Sequence, residues 1–321
     1  MSLSPRVLVL AGGLSHERDV SLRSGRRVAD ALRDAGCVVQ ISDVDAGLID
    51  VLRGGGTDVV WPLLHGASGE DGAVRDVLDL IGVPYVGSGP VACRAAWDKP
   101  VAKAVAAGAG LRTPEFVALP HGVFRELGAG AVLRAIVEHL GLPLVVKPAR
   151  GGSALGVTVV RNADALPRAM VDCFAYGEVA VLERHVTGVE VAVSVVDTGS
   201  GPQALPPVEI VPDGGVYDYD ARYTAGATEF FCPARLTPAS LDAVRTAALD
   251  AHQAFGLRHL SRTDLIVDPD GVPWFLEVNV APGMTETSLL PQSVDAAGQR
   301  PGELYRQLVE AALHDVAERT P

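Results

Sequence analysis

Short apolar runs separated by amphipathic segments mark the first third of the chain. Val7–Ala11 is apolar throughout, too short for a helix and bounded by Gly12-Gly13, so it predicts a buried strand running into a tight turn. Apolar positions then recur at helical spacing from about Val20 to Ala35, which predicts a helix with one buried face. Val38–Val44 and Thr57–Leu64 repeat the strand pattern, the second ending at His65-Gly66. A helix over Ala73–Ile81 leads to a short strand, Pro84–Val86. Strands alternating with helices predict an α/β, doubly wound parallel sheet. Ligands of such sheets bind beyond the carboxyl ends of the strands, where Gly12-Gly13 and His65-Gly66 fall.

The pattern changes after Asp98. Helices are predicted over Lys99–Ala107 and Val132–Leu140, then strands Leu144–Lys147 and Val157–Val160 flank a glycine-rich loop. Strands dominate the remainder of the chain: Ala180–Glu183, Val189–Val196, Val208–Val211, Asp264–Val267 and Val272–Val278, with helices over Leu241–Phe255 and Glu303–Glu318. This part reads as α+β. Boundaries near 90 and 183 divide the chain into 1–89, 90–183 and 184–321.

Composition narrows the function. A chain of 321 residues, 48% hydrophobic and 21% charged, is globular and long enough for two or three domains without disulfide staples. The net charge of −12 argues against nucleic acid and anionic membranes as partners, yet leaves room for an anionic small molecule held by a few cations. No apolar run approaches the roughly 18 residues that span a bilayer. Cys37, Cys93, Cys173 and Cys232 are far apart with no Cys-x-x-Cys pair, and read as reduced thiols of a cytoplasmic protein.

Several segments carry candidate chemistry. Between Lys147 and Thr158 lies a G-x-x-x-x-G spacing, but Val157 stands where a P-loop needs lysine, and the sequence beyond is strand-like. The segment is expected to be a glycine-rich hairpin whose amides can cover phosphates, with Lys147 supplying charge. A plain flexible turn is the alternative.

Asp268-Pro269-Asp270-Gly271 is a turn signal, so the strands around it should form an antiparallel hairpin. A turn centred on Pro269-Asp270 sets Arg262 opposite Glu277 and Asp264 opposite Phe275. Arg262, Asp264, Glu277 and Asn279 then share one face, with Thr263, Leu265, Val267, Trp274, Leu276 and Val278 on the other, as core. Carboxylate and amide oxygens on one rigid face suit Mg²⁺, which takes few protein ligands, and Arg262 suits a phosphoryl group or an oxyanion. A solvated polar face would give the same pattern.

Glu190 alternates with the valines of Val189–Val196, and Glu183 ends the preceding strand; each is a solvated glutamate or a nucleotide contact. His65 is an ordinary loop histidine unless its place at a strand end puts it in a site. Pro282–Leu289 is a loop with exposed hydroxyls. Tyr217–Tyr223 is a lid or an exposed loop, and composition does not choose.

Together, and in order, these segments resemble the D-alanine–D-alanine ligases of the ATP-grasp superfamily. The matching pieces are Gly12–Leu22, His65–Gly72, Pro84–Gly89, Asp98-Lys99, Val146–Pro148, Gly152-Ser153 with Gly156, Tyr217–Tyr223, Cys232–Ala234, Arg262–Asp264, Glu277–Asn279 and Pro282–Leu289. Each is weak alone, but their order and spacing are specific. The resemblance implies a two-part ATP-grasp fold after the parallel sheet, with ATP between two antiparallel sheets. Lys99, Lys147 and Arg222 would meet its phosphates, Glu183 and Glu190 its adenine and ribose. Asp264, Glu277 and Asn279 would bind two Mg²⁺ or Mn²⁺ ions, and a monovalent cation is a further expectation. Glu17 would bind the first ammonium group, in a triad with Ser153 and Tyr223, and His65 would lie near the first carboxylate. Arg262 and the Gly283 amide would hold the oxyanion, Ser288 and Leu289 the second carboxylate. A homodimer making a cell-wall dipeptide in the cytoplasm is implied as well.

The chain departs from the family pattern in three places. The lid has Arg222 before its tyrosine instead of lysine, Ala154 replaces a second serine in the glycine loop, and Ser261 replaces the glycine before Arg262. Arginine keeps the charge but presents a planar fork. These departures leave open a relative that uses D-lactate, D-serine or another amino acid as acceptor. A nucleotide-binding protein without catalysis is the third reading, opposed by the retention of Asp264, Glu277, Asn279, Arg262, Lys99 and Lys147.

Overall fold

A computed structural model describes residues 4–317, other than 216, 218–220, 223 and 225. Strands β1 (Arg6–Leu10), β2 (Val38–Ser42) and β3 (Val59–Pro62) form a parallel sheet in the order β2-β1-β3. Tyr85 adds a single parallel bridge to Val60, in place of the strand expected at Pro84–Val86. Alternate residues of β1 serve opposite faces, as side-chain alternation requires. Val7 and Val9 pack with Val28, Ala29 and Leu32 of α1 (Arg18–Asp34), while Leu8 and Leu10 pack with Leu48 and Leu52 of α2 (Leu48–Arg53). Both faces are therefore apolar, and the sheet is doubly wound. Short α3 (Ala67–Glu70) and α4 (Ala73–Ile81) follow β3.

Helices α5 (Pro90–Trp97) and α6 (Lys99–Gly108) lead into a second sheet. It joins β4 (Phe116–Pro120), β5 (Leu144–Pro148), β6 (Thr158–Val160) and β7 (Val179–Arg184) in the antiparallel order β4-β7-β5-β6. α7 (His121–Leu127), α8 (Ala129–Leu140) and α9 (Leu166–Phe174) cover it through Phe124, Ile136, Leu140 and Met170. The β5–β6 hairpin carries the glycine loop, with Leu144 opposite Val160, as its spacing predicts.

The third sheet is antiparallel, in the order β11 (Thr228–Phe231), β10 (Val208–Pro212), β8 (Val189–Val196), β12 (Leu260–Val267), β13 (Pro273–Asn279), with β9 (Gln203–Ala204) paired to β8. Val191, Val193 and Val195 face α10 (Pro238–Ala254). Thr237 caps α10 by accepting from the Ser240 amide, and Pro238 occupies its first turn, so the helix starts before the expected Leu241. Cys93, Ala96, Ala102 and Ala106 of α5 and α6 also enter this core, although both helices precede the second sheet in sequence. α11 (Leu289–Ala296) comes next, and α12 (Pro301–Ala317) returns to the first sheet, where Tyr305 meets Trp61 edge to face at 5.4 Å.

The β12–β13 hairpin differs from expectation in register. Its loop centres on Asp270: Gly271, at φ +83°, takes the left-handed conformation and its amide donates to the Asp268 carbonyl. This half-residue shift flips the parity near the turn, pairing Leu265 with Phe275 and Ile266 with Trp274. A bulge after Asp264 then flips it back. Asp264 therefore faces Glu277 instead of Phe275, and Arg262 faces Asn279 instead of Glu277. The four polar residues still share a face, because the bulge cancels the shift. Phe275 replaces Trp274 and Leu276 in the core: Trp274 is half-buried and donates to Asp268, and Leu276 lines a cleft.

Candidate active site at the junction of two cavities

One cavity, of about 620 Å³, opens between the second and third sheets. β5 brings Lys147, β7 Glu183, β8 Glu190 and β12 Asp264 to its wall, with Ala154 and Leu155 of the glycine loop above. Strand alternation explains why charged side chains reach the cleft while their neighbours enter the cores. Glu183 is 2% exposed, and its carboxylate lies 2.6 Å from Lys147 Nζ and 2.7 Å from Lys103 Nζ. Burial opposes its ionisation, but the two ammonium groups hold its pKa below the usual range. For Glu190 burial outweighs the attraction of Arg222 and pushes the carboxyl up to about 7. Arg235, which nothing in the sequence singles out, also lines this cavity, with its guanidinium on Glu209 at 2.7 Å.

The second cavity, of about 420 Å³, is lined by loops as much as by strands: Glu17, His65, Glu70, Ser153, Arg262, Asn279, Gly283, Ser288 and Leu289 all reach it. Glu17 immediately precedes α1 and accepts a hydrogen bond from Ser153 across 136 positions of sequence. Asp43 and Arg18 brace the Glu17 loop, the carboxylate accepting from the Gly13 amide at 2.7 Å and the guanidinium donating to the Gly13 carbonyl at 2.8 Å. Buried His65 follows β3; its pKa is pulled down to about 4 by burial and by Arg262. Its ring bonds the Ala281 backbone, and Nε2 meets no hydrogen-bond partner among the described residues. Glu70 accepts from the Gly66 amide at 2.9 Å, and burial beside Glu17 raises its carboxyl to about 8. Neither its burial nor its neighbour is evident from the chain alone.

Gly283 permits a close approach: a Cβ there would stand 2.8 Å from Ser288 Oγ, which would have to move. Ser288 accepts from the Thr285 amide at 2.9 Å and precedes α11, whose first residue is Leu289. The Pro282–Leu289 loop is thus folded against a helix N-terminus, which favours anions.

The cavities share Lys99, Gly151, Gly152, Tyr217, Arg222 and Glu277. Asp98 caps α6, which fixes Lys99 at its first turn. Lys99 Nζ donates to the Gly151 carbonyl at 2.8 Å and lies 3.5 Å from Glu277. Burial would raise the Glu277 carboxyl, but Lys99, Arg222 and Lys147 hold it well below the usual range. Arg222 also stacks on Tyr217, 4.3 Å from the ring centroid. Beside them Arg262 grips both Asp264 oxygens at 2.7 Å. Among the described residues no three His, Cys, Asp or Glu side chains form a metal cluster. Asp264 and Glu277, opposed across the hairpin, with Asn279 beyond, fit a hard cation that completes its shell with water and phosphate. Tyr223, expected to close the triad with Glu17 and Ser153, lies outside the described residues, as do other positions of the Tyr217–Tyr223 segment.

Comparison with known proteins identifies the family. A family model described as the D-ala D-ala ligase C-terminus matches residues 105–310, and one described as the N-terminus matches residues 50–88. A D-alanine–D-alanine ligase of Anaeromyxobacter dehalogenans (strain 2CP-1) is 41% identical over 307 residues, 96% of each chain. Its namesake from Bordetella petrii is 39% identical, over 96% of this chain and 92% of its own. The structure of a Bacillus anthracis D-alanine–D-alanine ligase complexed with ATP superposes with a TM-score of 0.82 at 28% identity, covering 98% of this chain and all of the other (100%). VanG D-Ala:D-Ser ligase from Enterococcus faecalis shares the fold, with a TM-score of 0.83 at 24% identity, over 97% of this chain and 100% of the other. No helix among the described residues is long and apolar enough to cross a membrane. Related at this level over nearly its whole length, the chain belongs to the D-alanine–D-alanine ligase family and is an ATP-grasp ligase.

Proposed function

We propose that the chain joins two D-alanine molecules to D-alanyl-D-alanine with ATP, releasing ADP and phosphate, as a cytoplasmic step of peptidoglycan precursor synthesis, and that it acts as a homodimer. The observation that carries this is the meeting of two cavities, one sized for a nucleotide and one for amino acids, at Lys99, Gly152, Arg222 and Glu277. Phosphoryl transfer between two ligands needs such a junction.

ATP lies between the two antiparallel sheets, its phosphates under the glycine loop and against Lys99, Lys147 and Arg222, with Glu190 at the ribose. The Glu183 carboxylate, already held by lysines at the base of the cleft, supports Lys147 there. Glu17, linked to Ser153, holds the first ammonium group, near His65. A carboxylate oxygen of this first D-alanine attacks the γ-phosphorus and ADP leaves, giving an acyl phosphate. The amine of the second D-alanine, whose carboxylate is held at Ser288 and the start of α11, attacks that carbonyl. Arg262 and the Gly283 amide hold the oxyanion. Collapse of the tetrahedral intermediate expels phosphate and leaves the peptide bond. Asp264, Glu277 and Asn279 would hold Mg²⁺ or Mn²⁺, which supplies positive charge for the transferring phosphoryl group. Tyr217 and Arg222, on the wall of both cavities, limit water access to the acyl phosphate.

The test is substrate choice. With ATP and Mg²⁺, phosphate release should require D-alanine and should not occur with L-alanine. Faster turnover when D-serine or D-lactate joins D-alanine would replace the acceptor in this assignment. ATP binding without turnover in any mixture would overturn it.

A further inference from the structure

Helix α6 presents two lysines four residues apart, on one face. Lys99 reaches the junction of the cavities. Lys103, a turn later, lines neither cavity and is completely buried (0% exposed). Its ammonium lies 2.7 Å from Glu183, donates to Thr113 Oγ1 at 2.7 Å and sits 5.2 Å from the Phe116 ring centroid. Burial pulls its pKa down to about 8, against the pull of Glu183, so it stays mainly charged at neutral pH. Glu183 reaches from Lys103 to Lys147, and of these two lysines Lys147 is the one on the wall of the nucleotide cleft.

The charges decide what this arrangement does. Lys147 and Glu183 alone would be a neutral buried pair, with little attraction for phosphate. Lys103 makes the group of three net positive without touching the ligand. A buried charge left short of its partner also loses its geometry, because nothing else in the interior solvates it.

We propose that Lys103 is a positioning residue of the nucleotide cleft: by binding Glu183 from the core side, it leaves the positive charge of Lys147 available to the phosphates of ATP. This rests on the assignment of ATP to the cleft. A lysine that merely anchored α6 to β7 would contribute to stability alone.

The test uses the full chain, with calorimetric binding of ADP and of a non-hydrolysable ATP analogue. Lys103→Met should weaken both by about 10- to 100-fold, the scale for removing a group that orients a ligand-binding residue. In steady state the KM for ATP should rise while that for D-alanine holds. Lys103→Gln, which keeps a hydrogen-bond donor for Glu183 but not the charge, should weaken binding of both nucleotides to a similar extent. Wild-type affinity in a folded Lys103→Met or Lys103→Gln would overturn the inference. If Lys103→Met does not fold, Lys103→Gln decides alone by the same loss of about 10-fold or more. Failure of the wild type to bind either nucleotide would overturn the ATP assignment itself, and this inference with it.

Discussion

The two cavities are built differently. The cleft proposed for the nucleotide is walled mainly by strands, and its charges are held in ion pairs: Lys147 on Glu183, which Lys103 also binds from the core, and Arg235 on Glu209. The amino-acid pocket gathers loops from distant parts of the chain and holds His65 and Glu70 far from their ordinary pKa values. His65 is neutral, with Nε2 unpartnered among the described residues, and Glu70 retains its proton. On the proposed assignment the first arrangement would receive a large anion with little rearrangement. The second would be completed by its ligands, through their ammonium and carboxylate groups.

Arg262, on the wall of the amino-acid pocket with its guanidinium on Asp264, probes this division hardest. Arg262→Ala should lower kcat by about 10³-fold or more, as expected for loss of an oxyanion donor that also neutralises a buried carboxylate, while ADP still binds. Equal loss of nucleotide binding would break the division. Ser153→Ala removes the partner of Glu17 and should cost about 10²-fold in kcat/KM for D-alanine, with the KM for ATP unchanged. Ser288→Ala should act more mildly, raising the KM for the second D-alanine by roughly tenfold.

Glu70 gives the amino-acid pocket a stability signature of its own. Its carboxyl titrates near 4.5 when unfolded and about 8 when folded. Between those values the folded state keeps a proton that the unfolded state releases, so this group's contribution to stability falls as pH rises through the interval and levels off above it. Glu70→Gln keeps an acceptor for the Gly66 amide, and its Tm should decline less than the wild type's from pH 5 to 8. A parallel decline would mean that Glu70 ionises normally. The smallest effect belongs outside both cavities. Ser261, the residue that departs from the family's glycine, is fully buried with its hydroxyl 2.8 Å from His252 Nδ1. Ser261→Ala should lower stability by about 1–2 kcal/mol in denaturant titrations and leave turnover near normal.

Where function rests on strand alternation, the sequence is sufficient. Val189–Val196 matches β8 residue for residue, and the glycine loop is the hairpin that its flanking strands require. The β12–β13 hairpin shows the limit. A three-residue loop at Gly271 and a bulge at Leu276 each change the parity, and the polar face survives only because they compensate. Local pattern does not encode a bulge set by neighbouring strands. The helices Leu48–Arg53, Pro90–Trp97 and His121–Leu127 escape sequence reasoning because six to eight residues show too little periodicity. Lys103, Glu70 and Asp43 are silent for another reason: each acts through a partner distant in sequence, on Glu183, Glu17 and Arg18.

The route through both cavities has a direct isotopic test. D-alanine labelled with ¹⁸O in its carboxylate should, with ATP and Mg²⁺, give D-alanyl-D-alanine and inorganic phosphate in equal amounts, each phosphate carrying one ¹⁸O from the first substrate. Dipeptide formed with unlabelled phosphate would contradict the acyl-phosphate route, and labelled D-alanine that yields neither product would contradict the ligase itself.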